Sequence, residues 1–299
     1  MAFPVPEKTS IRCQIVEILT ALENKIEMNG RMNETLETMA RALFKSWFVD
    51  FDPVRAKAKG RDSSLPQSFT NLFPARLVQS ELGAIPEGWL VETLADHFEP
   101  VKGVSYKGSG LGDDGVPLHN LNSIYEGGGY KYEGIKYYTG EHAERHVVLP
   151  GDVIVANTEQ GHERLLIGYA AVVPRVYGNY GIASHHIYRV RSKPGSRLKG
   201  SYLCFLLNSP QMHGLVSGFA NGTTVNMLPV DALQKPPIVC PPGPLVEEFG
   251  ALAVNARQRC EELLLESRTL ASLRDLLLPK LISGEIRLRD AEKAVETVA

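Results

Sequence analysis

The chain lacks most of the patterns that announce a catalytic or metal centre. Its four cysteines, Cys13, Cys204, Cys240 and Cys260, are widely spaced with no CxxC pair. This argues against a zinc or redox motif, so no metal site is expected, and it fits reduced thiols in a cytosol. No apolar run approaches the roughly 18 residues of a membrane span. No basic-plus-apolar leader opens the sequence, so a cytoplasmic rather than secreted or membrane location is expected. A Gly-rich cofactor loop running into a helix, an Asn-Pro-Pro-aromatic run and the GxxxxGKS or GxxxxGKT phosphate loop are all missing. The Gly-rich GSGLGDDG at 108–115 has no Lys and no strand-to-helix context, and reads as a turn. Nor does one sign of charge dominate: 32 basic residues face 34 acidic ones, a net charge of −2. An anionic partner must therefore be met by a local patch.

What the chain does have is a long helical pattern from about Ile11 to Asp52. Apolar residues recur at alternating spacings of four and three: Ile15, Leu19, Leu22, Ile26, then Leu36, Ala40, Leu43 and Trp47. This is a coiled-coil seam, narrower than the stripe of a globular surface helix. Asn29 and Asn33 fall on the seam where Leu or Ile is expected. A buried amide there fixes register at a cost in stability; the alternative is a drifting seam with both amides half-exposed. The helix should stop near Asp50, because Pro53 disfavours helical geometry at Asp52. Just before that stop Phe44, Trp47, Phe48 and Phe51 crowd together, which suggests a second apolar face.

Residues 54–84 shift to Lys, Arg, Ser, Pro and Gln and read as a linker over a surface. From 85 to 240 short β-type runs alternate with Gly-rich turns: VPLHNL near 116, IKYYT near 135, DVIVANT near 152, IGYAAVV near 167 and IASHHIYRV near 182. Two short helices are expected at SYLCFLLNS and QMHGLVSGF. A second seam follows from Leu245 through Phe249, Leu252, Ala256, Arg259, Leu263, Glu266, Leu270 and Leu273 to Leu277, within a helical region at 241–282. The tail, 283–299, is too short for a domain and is expected to fray. The fold class is therefore α+β: one mixed, strand-rich domain flanked by two long helices that pair as an antiparallel coiled coil.

Three stretches carry a resemblance: NKIEMNGRMNETLETMARALFKSWFVDFDPVRAK, the segment ending SELGAIPEGW, and SLRDLLLPKLISGEIRL. They resemble the specificity subunit of Type I restriction-modification systems, over nearly the whole chain. Family members usually carry two target-recognition domains, each followed by a helical spacer; this sequence is similar to one half, with a spacer helix (1–53), one recognition domain (85–240) and a distal helix. It is expected to be either a half-subunit that pairs with itself or a fragment. The resemblance implies double-stranded DNA, methylation subunits and a restriction subunit as partners, with a second copy or second half-subunit completing a two-part site. It implies no catalysis and no cofactor in this chain. A rod of about 55 Å corresponds to about 16 base pairs, so paired helices would serve as a ruler.

Readers of DNA sequence are chosen by side-chain type: Arg for guanine, Asn or Gln for adenine, Ser, Thr or Tyr for edges and phosphates. Expected loops concentrate these at Tyr106, Lys107, His119, Asn120 and Asn122; at Asn157, Thr158, Gln160 and Arg164; at Tyr177, Asn179 and Tyr180; and at Asn221, Thr223, Thr224 and Asn226. Between 145 and 199 eight basic residues face three acidic ones, a local surplus within a domain whose net charge is slightly negative. Phe44, Trp47, Phe48 and Phe51 are expected to dock a methylation subunit, the alternative being that they pack under the recognition domain. Two rival functions are a bare assembly module and a nuclease built on Asp152 and Glu159. His185 and His186, read as neighbours on a strand, should point to opposite faces and so share no metal.

Overall fold

The computed structural model describes residues 9–63, 65–159, 165–220 and 226–298. In chain order, helix α1 (Thr9–Phe44) is followed by α2 (Asp52–Ala58), α3 (Gln67–Thr70), β1 (Leu77–Ser80), β2 (Gly83–Pro86) and β3 (Leu90–Thr93). Then come α4 (Leu94–His97), β4 (Phe98–Lys102), β5 (Leu111–Gly112), β6 (Val116–His119), β7 (Lys136–Tyr138), β8 (Val147–Val148) and β9 (Val153–Ala156). Next lie β10 (Thr158–Glu159), β11 (Ala170–Val172), β12 (Gly181–Ala183), β13 (Ile187–Ser192), α5 (Gly200–Leu207) and α6 (Pro210–Gly218). The last elements are β14 (Asn226–Met227), β15 (Pro237–Cys240), α7 (Gly243–Ser283) and α8 (Leu288–Val298). The chain forms two compact units: residues up to Ala40 with those from Asn255 onward, and Arg41–Val254.

In the helical unit Ile15, Ile18 and Leu22 of α1 are buried with Leu270, Leu277 and Leu281 of α7. The paired residues fix the direction. Glu23 binds Arg274 at 2.6 Å, Asn29 donates to Glu266 at 3.0 Å and Ser267 at 3.3 Å, and Lys25 lies 3.2 Å from Glu266. Cys260 reaches the carbonyl of Asn33. Numbers rise along α1 as they fall along α7, so the helices run antiparallel. Asn29 is buried and bonded across the pair, whereas Asn33 is only half-buried.

Two seam positions are corrected. Leu252 and Arg259 are exposed, and Cys260 is buried in the row that Arg259 was expected to hold. A helix of 3.6 residues per turn drifts against a strict heptad, so the buried row moves by one residue. The tail is corrected too. α7 runs past Pro279 to Ser283, where the missing N–H removes one ladder bond between the buried Leu277 and Leu281. α8 then packs Leu288, Ala291 and Val295, one helical face, on the same cluster.

The second unit is built on a four-stranded antiparallel sheet in the order β11-β9-β13-β4. Side chains alternate across it. Val153, Val155, Ala170, Val172, Tyr188 and Val190 enter a large core, while Ile154, Ala156, Ala171 and Ile187 enter a smaller one with Ile124, Tyr130 and Val148. Burial on both faces explains why DVIVA and YAAVV read as continuous apolar runs. Helix α5 covers the first face with Tyr202, Leu203 and Leu207. A five-stranded sheet, β5-β7-β6-β12-β8, adds Val104, Leu118, Tyr138 and Ile182 as a further cluster.

The four aromatics expected to dock a partner belong to the large core. Trp47 is 2% exposed and Phe44, Phe48 and Phe51 are equally enclosed. Phe48 meets Tyr202 edge-on at 4.9 Å, Phe44 meets Phe249 at 5.5 Å, and Trp47 meets Phe73 at 5.4 Å. Side chains of α5, of the start of α7 and of the segment after α2 cover it. A π-type turn, Lys45–Val49, and a left-handed Phe51 (φ 56°) aim these rings inward. The backbone strain at Phe51 is offset by ring burial against Trp89, 5.5 Å away. Residues 54–84 were expected to lie over a surface, yet Val54 and Phe73 are buried in this same core.

Trp47→Ala is expected to cost the isolated chain about 3–5 kcal/mol, read as a lower urea midpoint. An unchanged midpoint would return the cluster to the docking role.

Candidate functional site

Strand β4 forms one edge of the four-stranded sheet, with the short turn Glu144–His146 beside it. Beside it lies a groove of about 510 Å³ lined by Glu99–Gly103, Ser105, Arg145, His146 and His185. Gly103 makes this approach possible: a Cβ there would sit 2.2 Å from the carbonyl oxygen of Ala183. Val104 N–H donates to that same carbonyl at 2.7 Å, so the chain leaving β4 crosses onto β12 without a gap.

His185 and His186 correct the strand reading of IASHHIYRV. They form a tight turn between β12 and β13, the point at which the chain passes from the five-stranded sheet to the four-stranded one. A turn removes the alternation of a strand, and the two rings lie with centroids 3.7 Å apart. His185 faces Tyr106 at 5.9 Å, and His186 Nδ1 is 3.0 Å from the Thr158 hydroxyl.

The groove carries charges of both signs, Lys102 and Arg145 with Glu99. Lys102 and Arg145 are exposed on it. Burial, then the neighbouring charge of Lys102, pulls the His185 imidazole below its usual value. Burial and then Arg145 do the same to His146, and burial and then Arg191 lower the Arg189 guanidinium. Of its lining residues, His146 and His185 each hold a buried Nδ1 without a hydrogen-bond partner. Arg145 Nε donates to His146 Nε2 at 3.1 Å, so the free Nδ1 of that neutral ring is a donor. With Lys102 and Arg145 against Glu99, the lining carries a small surplus of positive charge.

The residues singled out from sequence divide into those near the groove and those spent on the fold. Tyr106 and Lys107 follow the groove-lining segment, Lys107 being exposed. Asn157 and Thr158 are buried behind the histidine turn, Asn157 donating to the His185 carbonyl at 3.1 Å. His119 is buried with Nδ1 2.8 Å from the Tyr130 hydroxyl, and Tyr177 donates its hydroxyl to the Tyr132 carbonyl. Asn120 is buried as the cap of a short 3-10 turn, accepting from Asn122 N–H at 2.8 Å. His119, Asn120 and Thr158 are thus bonded within the fold, while Asn157 is buried with its Oδ1 unpartnered. Asn122, Asn179 and Tyr180 are exposed, while Asn226 is half-buried on β14 opposite Glu159. Gln160, Arg164, Asn221, Thr223 and Thr224 lie outside the described residues.

Lys102, Ser105 and His146 escaped the sequence reading, although Arg145 and Arg189 stood out as part of the basic surplus. Asp152 and Glu159 are both engaged. Asp152 accepts from Arg191 Nε at 2.8 Å and from Leu149 N–H at 2.8 Å, and Glu159 accepts from the N–H groups of Leu166 and Ile167 at 2.6 and 3.0 Å. Paired in this way, each carboxylate organises a turn. Among the described residues no helix is long and apolar enough to cross a membrane.

The strand-rich unit carries a groove lined in part by Lys102, Arg145 and Glu99, and the other unit is a pair of long antiparallel helices. No family model matches the chain. It is 26% identical over 342 aligned positions to the specificity subunit of the Type I restriction enzyme HindI from Haemophilus influenzae, covering 96% of this chain and 69% of that protein. It is 22% identical to the specificity subunit of the MjaIX enzyme from Methanocaldococcus jannaschii, again over 96% of this chain and over 61% of that one. In fold it is similar to the crystal structure of the Type I specificity subunit from M. genitalium, with TM-score 0.51 at 14% identity, covering 92% of this chain and 61% of the other. The chain is thus similar to Type I specificity subunits along nearly its whole length, while spanning about two thirds or less of theirs.

Burial sets an acid limit on this unit. The His119 imidazole is pushed down to about 3 by desolvation, against an ordinary value of 6.5. Above pH 6.5 it is neutral folded and unfolded; below it only the unfolded chain takes the proton, so stability falls by up to about 1.4 kcal/mol per pH unit towards pH 3. His119→Gln is expected to be less stable at pH 8 but to lose less on acidification, measured by urea midpoints across pH. Equal losses would refute this role.

Proposed function

We propose that this chain is a non-catalytic DNA-specificity subunit of a Type I restriction-modification enzyme. The observation that carries the reading is its likeness, over 96% of its length, to two proteins named as specificity subunits. The strand-rich unit reads one half of a two-part double-stranded DNA target. Its cationic groove at the β4 edge takes the phosphate backbone, and the exposed Lys107, Asn122, Asn179 and Tyr180 lie on loops from which base edges can be reached. The helices act as a coiled-coil spacer and dock methylation subunits, which supply S-adenosylmethionine-dependent adenine methylation. A restriction subunit joins the full assembly, and a second copy or second recognition unit reads the other half. The complex works in the cytoplasm.

Affinity in this scheme comes mainly from phosphate contacts and is salt-dependent. Replacing Lys102 and Arg145 together by Ala should weaken DNA binding about equally for all sequences. The slope of log K against log salt should fall by about two. The measurement is a salt titration of the complex with a methylation subunit, accompanied by mapping of the adenines it methylates in random DNA. An unchanged slope would remove the groove from the interface. A stable complex that methylates nothing would reduce the chain to an assembly module.

A further inference from the structure

The fold brings together three side chains that the groove does not use. β3 and β15 pair antiparallel with Glu92 opposite Ile238 and Cys240 opposite Leu90, so Glu92 and Cys240 lie two positions apart on one face. Helix α4 starts directly after β3, held by a capping box between Thr93 and Asp96, and carries His97 back over that face. One donor atom from each of Glu92, His97 and Cys240 lies within 4.8 Å of the others.

We infer that Glu92, His97 and Cys240 form a binding site for a borderline-soft divalent transition-metal ion of the Zn²⁺ type. The donor set, carboxylate, imidazole and thiolate, is the one such ions select over Mg²⁺ or Ca²⁺. The spacing fits. With ordinary Zn–N and Zn–S bonds, a tetrahedral centre separates nitrogen and sulfur by about 3.6 Å and nitrogen and carboxylate oxygen by about 3.4 Å. Cys240 Sγ is 3.6 Å from His97 Nε2, and Glu92 Oε2 is 2.9 Å from that nitrogen. Of these two distances the second must open, by about half an ångström, and the sulfur lies within 4.8 Å of the carboxylate oxygen.

Three independent features point into the centre. Glu92 Oε2 is buried and accepts no well-directed hydrogen bond despite its closeness to the imidazole. His97 Nδ1 lies 3.1 Å from the Ser196 hydroxyl, which occupies that side of the ring and leaves Nε2 facing the other two donors. Arg197 holds the other carboxylate oxygen, Glu92 Oε1, at 2.9 Å. With the thiol deprotonated, the two anionic ligands balance the ion, and Arg197 steadies the carboxylate from outside. The thiol proton leaves to solvent as the ion enters. Cys240 and His97 are buried and Glu92 is partly exposed, so the fourth position opens on the Glu92 side, where water can complete the tetrahedron. Such an ion would tie β3, α4 and β15 together immediately before the groove-forming strand β4. The competing account is an ion pair of Glu92 with His97 and Arg197 that needs no metal.

The test is on the full chain. After loading with Zn²⁺ and dialysis against metal-free buffer, elemental analysis should find one equivalent, and a chelator should lower the thermal midpoint. Loading with Co²⁺ should produce tetrahedral visible bands and a thiolate-to-cobalt charge-transfer band. That band should vanish in Cys240→Ser while persisting in Cys13→Ser, and His97→Gln should bind at least about ten-fold more weakly. Glu92→Gln keeps the shape of the side chain and should also weaken Co²⁺ binding, which guards against misfolding of the cysteine variant. A metal content well below one equivalent, or a charge-transfer band that survives in Cys240→Ser, would overturn the proposal.

Discussion

Burial of both faces of the four-stranded sheet is the constraint on which the strand-rich unit depends. Every residue of β9 and β11 points into a core, whichever way it faces. Two different layers must therefore be supplied, one by helices and one by loops and strands of the second sheet. Covering both faces leaves a sheet only its edges as open surface. On the β13 side that edge is β4, where Gly103 permits the crossing onto β12 and the cationic groove forms. The position of the candidate interface thus follows from how the core is closed.

The same constraint explains where the aromatic residues went. A run such as LFKSWFVDF at the end of a long helix looks like a sticky surface when only the helix is considered. In the structure it closes the large core against Tyr202, Phe205 and Phe249, contributed by elements more than 150 residues away in sequence. Dispersion and apolar burial favour this arrangement over a solvent-facing patch. The polar candidates were sorted by the same rule. His119, Asn120, Asn157 and Thr158 carry side chains suited to DNA, but the Tyr130 hydroxyl, backbone carbonyls and the His186 ring bond to them within the fold.

In the helical unit, one buried and one exposed polar residue of α1 find partners across the pair. Asn29 meets Glu266 and Ser267, and Glu23 meets Arg274. Such contacts add little stability where they are exposed, but they penalise a shifted alignment that leaves Asn29 buried and unpaired.

Much of this protein was legible in local pattern. The 3,4 spacing marked both long helices, the apolar runs at 116, 135, 152 and 167 marked strands β6, β7, β9 and β11, and the helix signatures carried the likeness to Type I specificity subunits. Backbone preference and side-chain periodicity act over a few residues, so a sequence reveals them directly. Tertiary structure alone decided that His185 and His186 turn between two sheets, that Lys102, Arg145 and His146 line one groove, and that Glu92 and His97 meet Cys240. No spacing rule links residues 97 and 240. Their approach depends on the pairing of β3 with β15, and that pairing is set by the free energy of closing the whole core.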